Sequence, residues 1–234
     1  MNKKISVIIP VYNEQNELEN SVLKVASALE KTGMGYDIII AEDGSTDKTF
    51  EIAKRLERDN IKVIHSEKRL GRGSSLSKAI RLCNSEIAMY MDVDLSTSLD
   101  YIPILISEID AGAGIAVGSR LLPASKVERD LLRDVFSKGY NLFVRLLTGS
   151  KLHDHQCGFK AFSIKTVLPL LDEVEDNHWF WDTELLVRAQ KKGIHVAEIP
   201  VEWKGTRKSK VNHFSDVLNM GKKVVKLSVT RIEK

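Results

Sequence analysis

Short apolar runs alternate along the first part of the chain with segments whose apolar side chains recur at helical spacing. Four such runs predict buried strands, at residues 5–11, 36–41, 61–65 and 87–91. The segment after the first run has apolar residues at Leu18, Val22 and Leu29, which predicts an amphipathic helix with Asn13 or Asn16 as its N-cap. Repeated strand and helix units predict an α/β fold whose mostly parallel central sheet is covered by helices on both faces.

The residues at and just after the ends of the four predicted strands are polar, acidic or glycine-marked. They are Pro10, Tyr12, Glu14, Asp43, Gly71, Arg72, Asp92 and Asp94. Open sheets of this kind bind ligands beyond the carboxyl ends of their strands, so these residues are expected to share one edge. A carboxylate there can accept a hydrogen bond from a base N–H or a ribose hydroxyl, and a turn with glycine lets backbone N–H groups approach an anion. The edge therefore predicts a nucleotide pocket, although each piece alone also suits an ordinary turn or helix start.

Asp92 and Asp94 stand one residue apart where the fourth apolar run ends. Two like charges this close repel each other unless a cation lies between them, and hard divalent cations prefer oxygen ligands. The pair therefore indicates a metal site for Mg²⁺ or Mn²⁺. Paired acids at strand ends also occur as solvated turn residues or helix caps.

Composition narrows the class of protein. The 234 residues, 43% of them hydrophobic, suit one sizeable α/β domain. The 35 basic and 32 acidic residues leave a charge of +3, so nucleic acid is not an expected partner. The two cysteines, Cys83 and Cys157, indicate a reducing compartment. No apolar run has the length of a spanning helix, so the protein is expected to be cytoplasmic or peripheral at the cytosolic face of a membrane.

Several motifs together resemble the inverting GT-A-fold glycosyltransferases of family 2. They are Pro10-Val11-Tyr12-Asn13-Glu14, Glu42-Asp43-Gly44-Ser45, the Gly71/Gly73 turn and Asp92-Val93-Asp94. Segments 94–97, 117–120, 156–160 and 181–186 are similar to those of dolichyl-phosphate glucose and mannose synthases and related polyprenyl-phosphate sugar synthases. The resemblance runs from Val7 to about Lys210 and implies a Rossmann-like nucleotide-binding domain over residues 1–210. Ser96 replaces a glutamine frequent in the mannosyl branch, which favours a glucosyl-like enzyme.

The resemblance implies metal-dependent transfer of a hexose from a nucleotide sugar to dolichyl or polyprenyl phosphate. The donor would be UDP- or GDP-linked, with UDP-glucose favoured, and Asp92 and Asp94 would hold Mg²⁺ or Mn²⁺ against its diphosphate. Arg120, Arg133 and Ser137 would bind the acceptor phosphate, although arginines on an amphipathic helix, such as the one predicted over residues 131–147, are also often merely solvated. The nucleotide sugar would contact two groups of residues. At the sheet edge these are Pro10, Tyr12, Glu14, Asp43, Gly71, Arg72 and Asp92, and further along the chain they are Lys204 and Arg207.

A phosphate acceptor changes the expected role of Asp182, the remaining candidate for catalysis. A phosphomonoester has a second pKa of ~6 and is largely anionic near neutral pH, so it needs no strong general base. In relatives that glycosylate hydroxyls, an aspartate of this region can be the base, whereas here Asp182 would orient neighbours or contact the sugar. A helix N-terminus also favours an acid there. Transfer to a saccharide or protein hydroxyl, and nucleotide-sugar binding without catalysis, are the alternatives.

The last part of the chain is basic. Residues 204–210 resemble the family's mobile loop near the diphosphate, and a plain solvated loop is the alternative. Residues 211–234 combine apolar and basic positions in an amphipathic pattern. This segment is expected to be a helix that lies on an anionic membrane surface or packs on the core. The protein would reach its lipid peripherally or through a membrane partner protein.

Overall fold

The structure is a computed structural model that describes residues 4–128, 130–205 and 213–232, the side chains of 213–218 excepted. Within these ranges the chain forms nine strands and eight α-helices. The strands are β1 (Lys4–Val11), β2 (Gly35–Glu42), β3 (Ile61–His65), β4 (Ile87–Met91), β5 (Ile115–Ser119), β6 (Lys126–Glu128), β7 (Phe159–Ser163), β8 (Val196–Pro200) and β9 (Glu202–Lys204). The helices are α1 (Leu18–Glu30), α2 (Thr49–Leu56), α3 (Arg72–Arg81), α4 (Ile102–Asp110), α5 (Leu131–Thr148), α6 (Ile164–Leu171), α7 (Trp181–Lys191) and α8 (His213–Val229).

Seven strands form the central sheet in the order β3-β2-β1-β4-β7-β5-β8. All neighbours are parallel except β7, which runs antiparallel to both β4 and β5. Strands β6 and β9 form a separate parallel pair. The predicted α/β class with a mostly parallel sheet is therefore confirmed, and the four strands expected from the apolar runs are β1 to β4.

Helices cover both faces of the sheet because alternate strand residues point to opposite sides. Ile5, Val7 and Ile9 are buried in the core beneath α1, α2 and α4. Ile8 is buried on the other side, beneath α3, α6 and α7. Each fully buried side chain of this size contributes about 1.5–3 kcal/mol relative to an exposed one, so the sheet is a rigid base for its loops.

The strand order reverses between β1 and β4, so the loops that follow these two strands open onto one crevice. The antiparallel β7 brings its first residue to the same place, because Phe159 pairs with Met91 at the end of β4. As a result the backbone N–H of Asp92 donates to the carbonyl of Gly158 at 3.0 Å. Three segments distant in sequence therefore meet around Asp92.

Two local predictions were wrong. Neither Asn13 nor Asn16 caps α1, whose N-cap is Glu17. Asn13 instead has a φ of +54° and accepts from the backbone N–H of Thr46 through its side chain at 2.8 Å, which ties the β1 loop to the β2 loop. Lys204, expected in a flexible segment, ends strand β9.

Helix α8 contacts the end of the fold that α5 and α7 form. Its Met220, Val224 and Leu227 are buried with Val144 of α5 and Val187 of α7. Two of its lysines are also ion-paired to the loop between α6 and α7, as Lys223 binds Asp176 and Lys226 binds Glu175. Within the described residues, no helix combines the length and apolar character needed to span a membrane.

Candidate active site

The Asp92 carboxylate lies where the carboxyl end of β4 meets the start of β7. Its side chain is about half exposed, at 47%. A Cβ atom added to Gly158 would collide with this carboxylate, so the close approach of the two segments requires glycine at position 158. The sheet register therefore fixes Asp92 at the mouth of the crevice.

The turn after Asp92 orients Asp94 and Ser96. The Asp94 Oδ1 atom accepts from the backbone N–H of Ser96 at 3.1 Å, and Leu95 between them has a φ of +48°. The Ser96 hydroxyl is buried and is the buried side-chain polar atom left without a hydrogen-bond partner among the described residues. Asp92, Asp94 and Ser96 line one small cavity together with Trp203.

This donor set fits a hard divalent cation. Two carboxylates and an unsatisfied hydroxyl offer oxygen ligands only, and Mg²⁺ is commonly held by one or two carboxylates with substrate phosphates and waters completing its shell. Among the described residues, no cluster of three or more Asp, Glu, His or Cys side chains could form an all-protein cage. A metal here would therefore complete its shell with water or with the oxygens of a bound diphosphate.

Arg72 connects the half-exposed Asp92 to three buried side chains, Tyr90, Lys160 and Asp182, and these five residues are here called the Asp182 network. The Arg72 guanidinium donates to Asp92 Oδ1 and to Asp182 Oδ2, both at 2.7 Å. Lys160 Nζ donates to Asp182 Oδ1 at 2.7 Å, to the Tyr90 hydroxyl at 2.8 Å and to the carbonyl of Cys157 at 2.7 Å. The Tyr90 hydroxyl also donates to Asp182. Two positive charges thus balance two negative ones.

The Asp182 carboxylate is ionised and fully engaged. Burial alone would raise its pKa, but the charges of Lys160 and Arg72 outweigh this effect and hold the pKa below its usual value. The residue is 3% exposed. A carboxylate with a lowered pKa, bonded through both oxygens, is a poor proton acceptor, and here Arg72, Lys160 and Tyr90 engage both oxygens of Asp182.

Arg120 is held by a buried partner that the sequence did not reveal. Its Nε and Nη2 atoms donate to the two oxygens of Asp154 at 2.7 and 2.9 Å, and its backbone N–H donates to the same carboxylate at 3.0 Å. Burial would raise the pKa of Asp154, but the charge and hydrogen bonds of Arg120 hold it well below the usual range. This bidentate pair fixes the direction of the guanidinium.

Arg120 and Arg133 meet at the ring of Trp203. Their guanidinium carbons lie 5.8 and 5.3 Å from the ring centroid, which is within the range of a cation–π contact. Ser137 follows Arg133 by one turn of α5. Arg120 and Arg133 therefore lie next to the cavity of Asp92 and Asp94, because Trp203 lines that cavity, and Ser137 lies one turn further along α5.

The predicted nucleotide contacts lie along the β1 and β2 ends of the crevice. The Asp43 carboxylate accepts from the backbone N–H groups of Leu70 and Gly71 at 2.7 and 2.9 Å, so it shapes the loop before α3. The backbone of this loop has a φ of +105° at position 71, which glycine adopts readily. The Tyr12 ring lies 4.0 Å from the guanidinium of Arg69. Pro10 and Glu14 flank that ring in sequence, at the end of β1 and in the turn after it.

Of the two residues of the basic segment that were predicted to contact the nucleotide sugar, the structure describes Lys204 and not Arg207. The Lys204 side chain is 69% exposed and pairs with Glu128 at 3.1 Å. Its backbone N–H donates to the carbonyl of Ser96 at 2.8 Å, which ties β9 to the turn that carries Asp94. Arg207 lies outside the described residues, and so does the rest of the expected loop beyond Gly205.

Sequence reasoning missed Tyr90, Asp154 and Lys160. Lys160 occurs within the motif at 156–160, but a lysine in a strand is usually solvated. Only the antiparallel register of β7, which pairs Lys160 with Tyr90, shows that the ammonium lies inside the sheet. Asp154 would have been found only by asking which acid balances Arg120.

Comparison with known proteins shows a matching family and several similar glycosyltransferases. The model of a family described as Glycosyl transferase family 2 matches residues 6–167. Glycosyltransferase AglD of Haloferax volcanii is 43% identical over 228 residues, which cover 95% of this chain but 36% of AglD. Human dolichyl-phosphate beta-glucosyltransferase is 30% identical over 237 residues, covering 94% of this chain and 73% of that protein. The chain therefore spans little more than a third of AglD.

Solved structures match nearly the whole chain. Glucosyl-3-phosphoglycerate synthase from Mycobacterium tuberculosis, crystallised with Mn²⁺, uridine diphosphate and glucosyl-3-phosphoglycerate, superposes with a TM-score of 0.71 at 17% identity. The match covers 98% of this chain and 80% of that one. At this identity the similarity concerns the fold, and it confirms the GT-A fold expected from the sequence motifs.

Proposed function

The chain belongs to glycosyl transferase family 2 and is a glycosyltransferase, and from this membership and its site geometry we propose that it transfers a hexose from a nucleotide sugar to a polyprenyl phosphate. The donor proposed is UDP-glucose. The observation that carries the proposal is the position of Trp203, which lines the cavity of Asp92 and Asp94 and also contacts Arg120 and Arg133. A site for a metal and diphosphate therefore adjoins a pair of cations suited to a second phosphate.

The donor half of the site would hold its diphosphate at the end of β4. Asp92, Asp94 and the Ser96 hydroxyl would bind Mg²⁺ or Mn²⁺, which supplies countercharge to the leaving diphosphate. Arg72 fixes the Asp92 carboxylate through a 2.7 Å hydrogen bond, and Asp182 in turn fixes Arg72. The carboxylate therefore stays in place without reorganisation when charge develops on the leaving group.

The acceptor half would hold the lipid phosphate against Arg120, Arg133 and Ser137. A phosphate oxygen forms the new bond to the anomeric carbon, while the bond from that carbon to the diphosphate oxygen breaks on the opposite side, which inverts the configuration. Because the attacking oxygen is already anionic, no proton needs to be removed. The low pKa and burial of Asp182 agree with this chemistry and give no support to a hydroxyl acceptor.

The test is a donor panel of UDP-glucose, UDP-N-acetylglucosamine and GDP-mannose with polyprenyl phosphate in detergent and Mn²⁺ or Mg²⁺, scored for glycolipid by mass spectrometry. Glycolipid from UDP-glucose is expected. Arg133→Ala should lower kcat/KM for the acceptor about tenfold or more, through loss of a charge-assisted hydrogen bond, while the KM for the donor changes little. Arg81→Ala, which removes an exposed arginine paired with Asp172, is the matched control.

Two outcomes would contradict the proposal. One is the absence of glycolipid from every donor. The other is the opposite effect of two substitutions, in which Asp182→Asn abolishes transfer to a sugar or protein hydroxyl and Arg133→Ala leaves this transfer intact. The second result would identify Asp182 as a base and the acceptor as a hydroxyl.

A further inference from the structure

Helix α5 turns an apolar face outward. Of the fourteen large apolar side chains that the described residues leave exposed, eight lie on α5 and two more, Val225 and Val229, lie on α8 beside it. Six side chains of α5 are more than half exposed: Leu131, Leu132, Val135, Phe136, Leu142 and Leu146. The concentration of these residues on one helix distinguishes it from the scattered single apolar residues that any surface carries.

The geometry of the helix makes this face continuous. At 100° per residue, Leu131, Val135, Leu142 and Leu146 fall within an arc of roughly 60°. The opposite side of α5 packs on the protein through the buried Asn141 and Val144. The amphipathic pattern of α5 is therefore inverted with respect to an ordinary surface helix, which buries its apolar stripe.

Basic side chains border the apolar face. Lys138 and Arg145 lie two turns apart along one edge and are exposed, and Lys138 is ion-paired with Asp134 at 2.6 Å. Arg133 lies on the opposite side of the helix, at the Trp203 ring. Cations beside an exposed apolar stripe are the arrangement by which helices lie in the interface of an anionic bilayer. A protein partner is a poorer match, because even the core of a homodimer interface is only about 65% apolar, whereas this face offers no polar group along its centre.

We propose that the outward face of α5 inserts into the surface of an anionic lipid bilayer. Arg133 and Ser137 lie on the opposite side of α5, beside the buried Val144, so they would face the protein above the lipid headgroups, towards the phosphate of a membrane-borne acceptor. The placement of these two residues rests on the proposed function, but the insertion itself does not. Membrane contact through α5 is also distinct from any contact made by residues 211–234.

Flotation with vesicles of equimolar phosphatidylcholine and phosphatidylglycerol, without acceptor or donor, tests the insertion. The wild-type chain should float with the vesicles, and less of it at high salt. Leu142→Glu/Leu146→Glu should reduce the partition coefficient at least about tenfold, because two apolar side chains no longer enter the bilayer. The milder Leu142→Gln/Leu146→Gln should reduce it in the same direction. Leu23→Glu/Leu82→Glu, at two half-exposed leucines on α1 and directly after α3, is the matched control.

Three results would overturn the proposal. They are a wild-type chain that stays with the lipid-free fraction, a glutamate variant that floats as well as the wild type, and a wild-type dimer in light scattering that the glutamate variant dissociates. Turnover separates this inference from the proposed function. The glutamate variant should glycosylate a short, water-soluble prenyl phosphate as the wild type does and lose activity only on acceptor in vesicles. If the wild type binds vesicles but glycosylates no prenyl phosphate, the proposed function fails alone.

Discussion

Replacing Lys160 by methionine should destabilise the fold strongly. The Lys160 side chain is fully buried, and its ammonium makes three hydrogen bonds of 2.7–2.8 Å. Methionine fills most of the same volume without charge. The substitution leaves the buried Asp182 carboxylate to share Arg72 with the half-exposed Asp92, so the buried negative charge is no longer fully balanced. Removing one partner of a buried ion pair usually costs about 3–5 kcal/mol.

The midpoint of thermal unfolding measures this cost. For a chain of this size, each kcal/mol lowers Tm by about 2–4 °C, so Lys160→Met is expected to lower it by about 6–20 °C. The double variant Lys160→Met/Asp182→Asn should recover part of the loss, because the unbalanced carboxylate is then gone. Lys126→Met is the control, since Lys126 also pairs with a carboxylate, Glu202, but is 79% exposed.

The reasoning would be refuted by a Tm for Lys160→Met that matches the Lys126→Met control. It would also be refuted if the double variant lost the sum of the two single losses. Strict additivity would mean that Lys160 and Asp182 do not interact, despite the 2.7 Å between their charged atoms.

Two further predictions concern Gly158 and His155. Gly158→Ala should lower the affinity for uridine diphosphate with Mn²⁺ at least about tenfold in calorimetry, because the new methyl group displaces the Asp92 carboxylate, whereas Gly139→Ala, with open space around it, should not. Burial lowers the pKa of His155 from 6.5 to about 4. The free energy of unfolding should therefore fall by up to about 3 kcal/mol as the pH is lowered from 6.5 towards 4, because the unfolded chain binds a proton that the folded chain does not. In urea unfolding, the free energy of His155→Gln should depend less steeply on pH. Equal slopes for the two proteins would contradict this.

The first half of the sheet was predictable because parallel strands are buried on both faces. Such strands are short, continuous apolar runs, and the runs at 61–65 and 87–91 match β3 and β4 residue for residue. The edge that gathers Asp43, Asp92 and Asp94 follows from the same reasoning, since parallel strands end on one side. Local sequence and tertiary structure agree in this part of the chain.

Strand β7 and the outward face of α5 were not predictable in the same way. The direction of β7 depends on its neighbours β4 and β5, which lie far away in sequence, and its Lys160 resembles a solvated residue until the register is known. The apolar spacing in α5 correctly predicts a helix. Such spacing ordinarily marks the side that faces the core, and only the packing of Asn141 and Val144 shows that it faces outward here.

The small β6–β9 sheet explains how the two halves of the site keep their relative positions. Strand β9 carries Trp203 and is bonded to the turn of the paired aspartates, because the N–H of Lys204 donates to Ser96 and the N–H of Ser98 donates to Glu202. Strand β6 pairs with β9 and ends shortly before α5 begins. The bilayer-facing helix and the metal cavity are therefore linked through one rigid element. An acceptor anchored in a bilayer at α5 would present its phosphate to the cavity beside the Trp203 ring, where Arg120 and Arg133 lie.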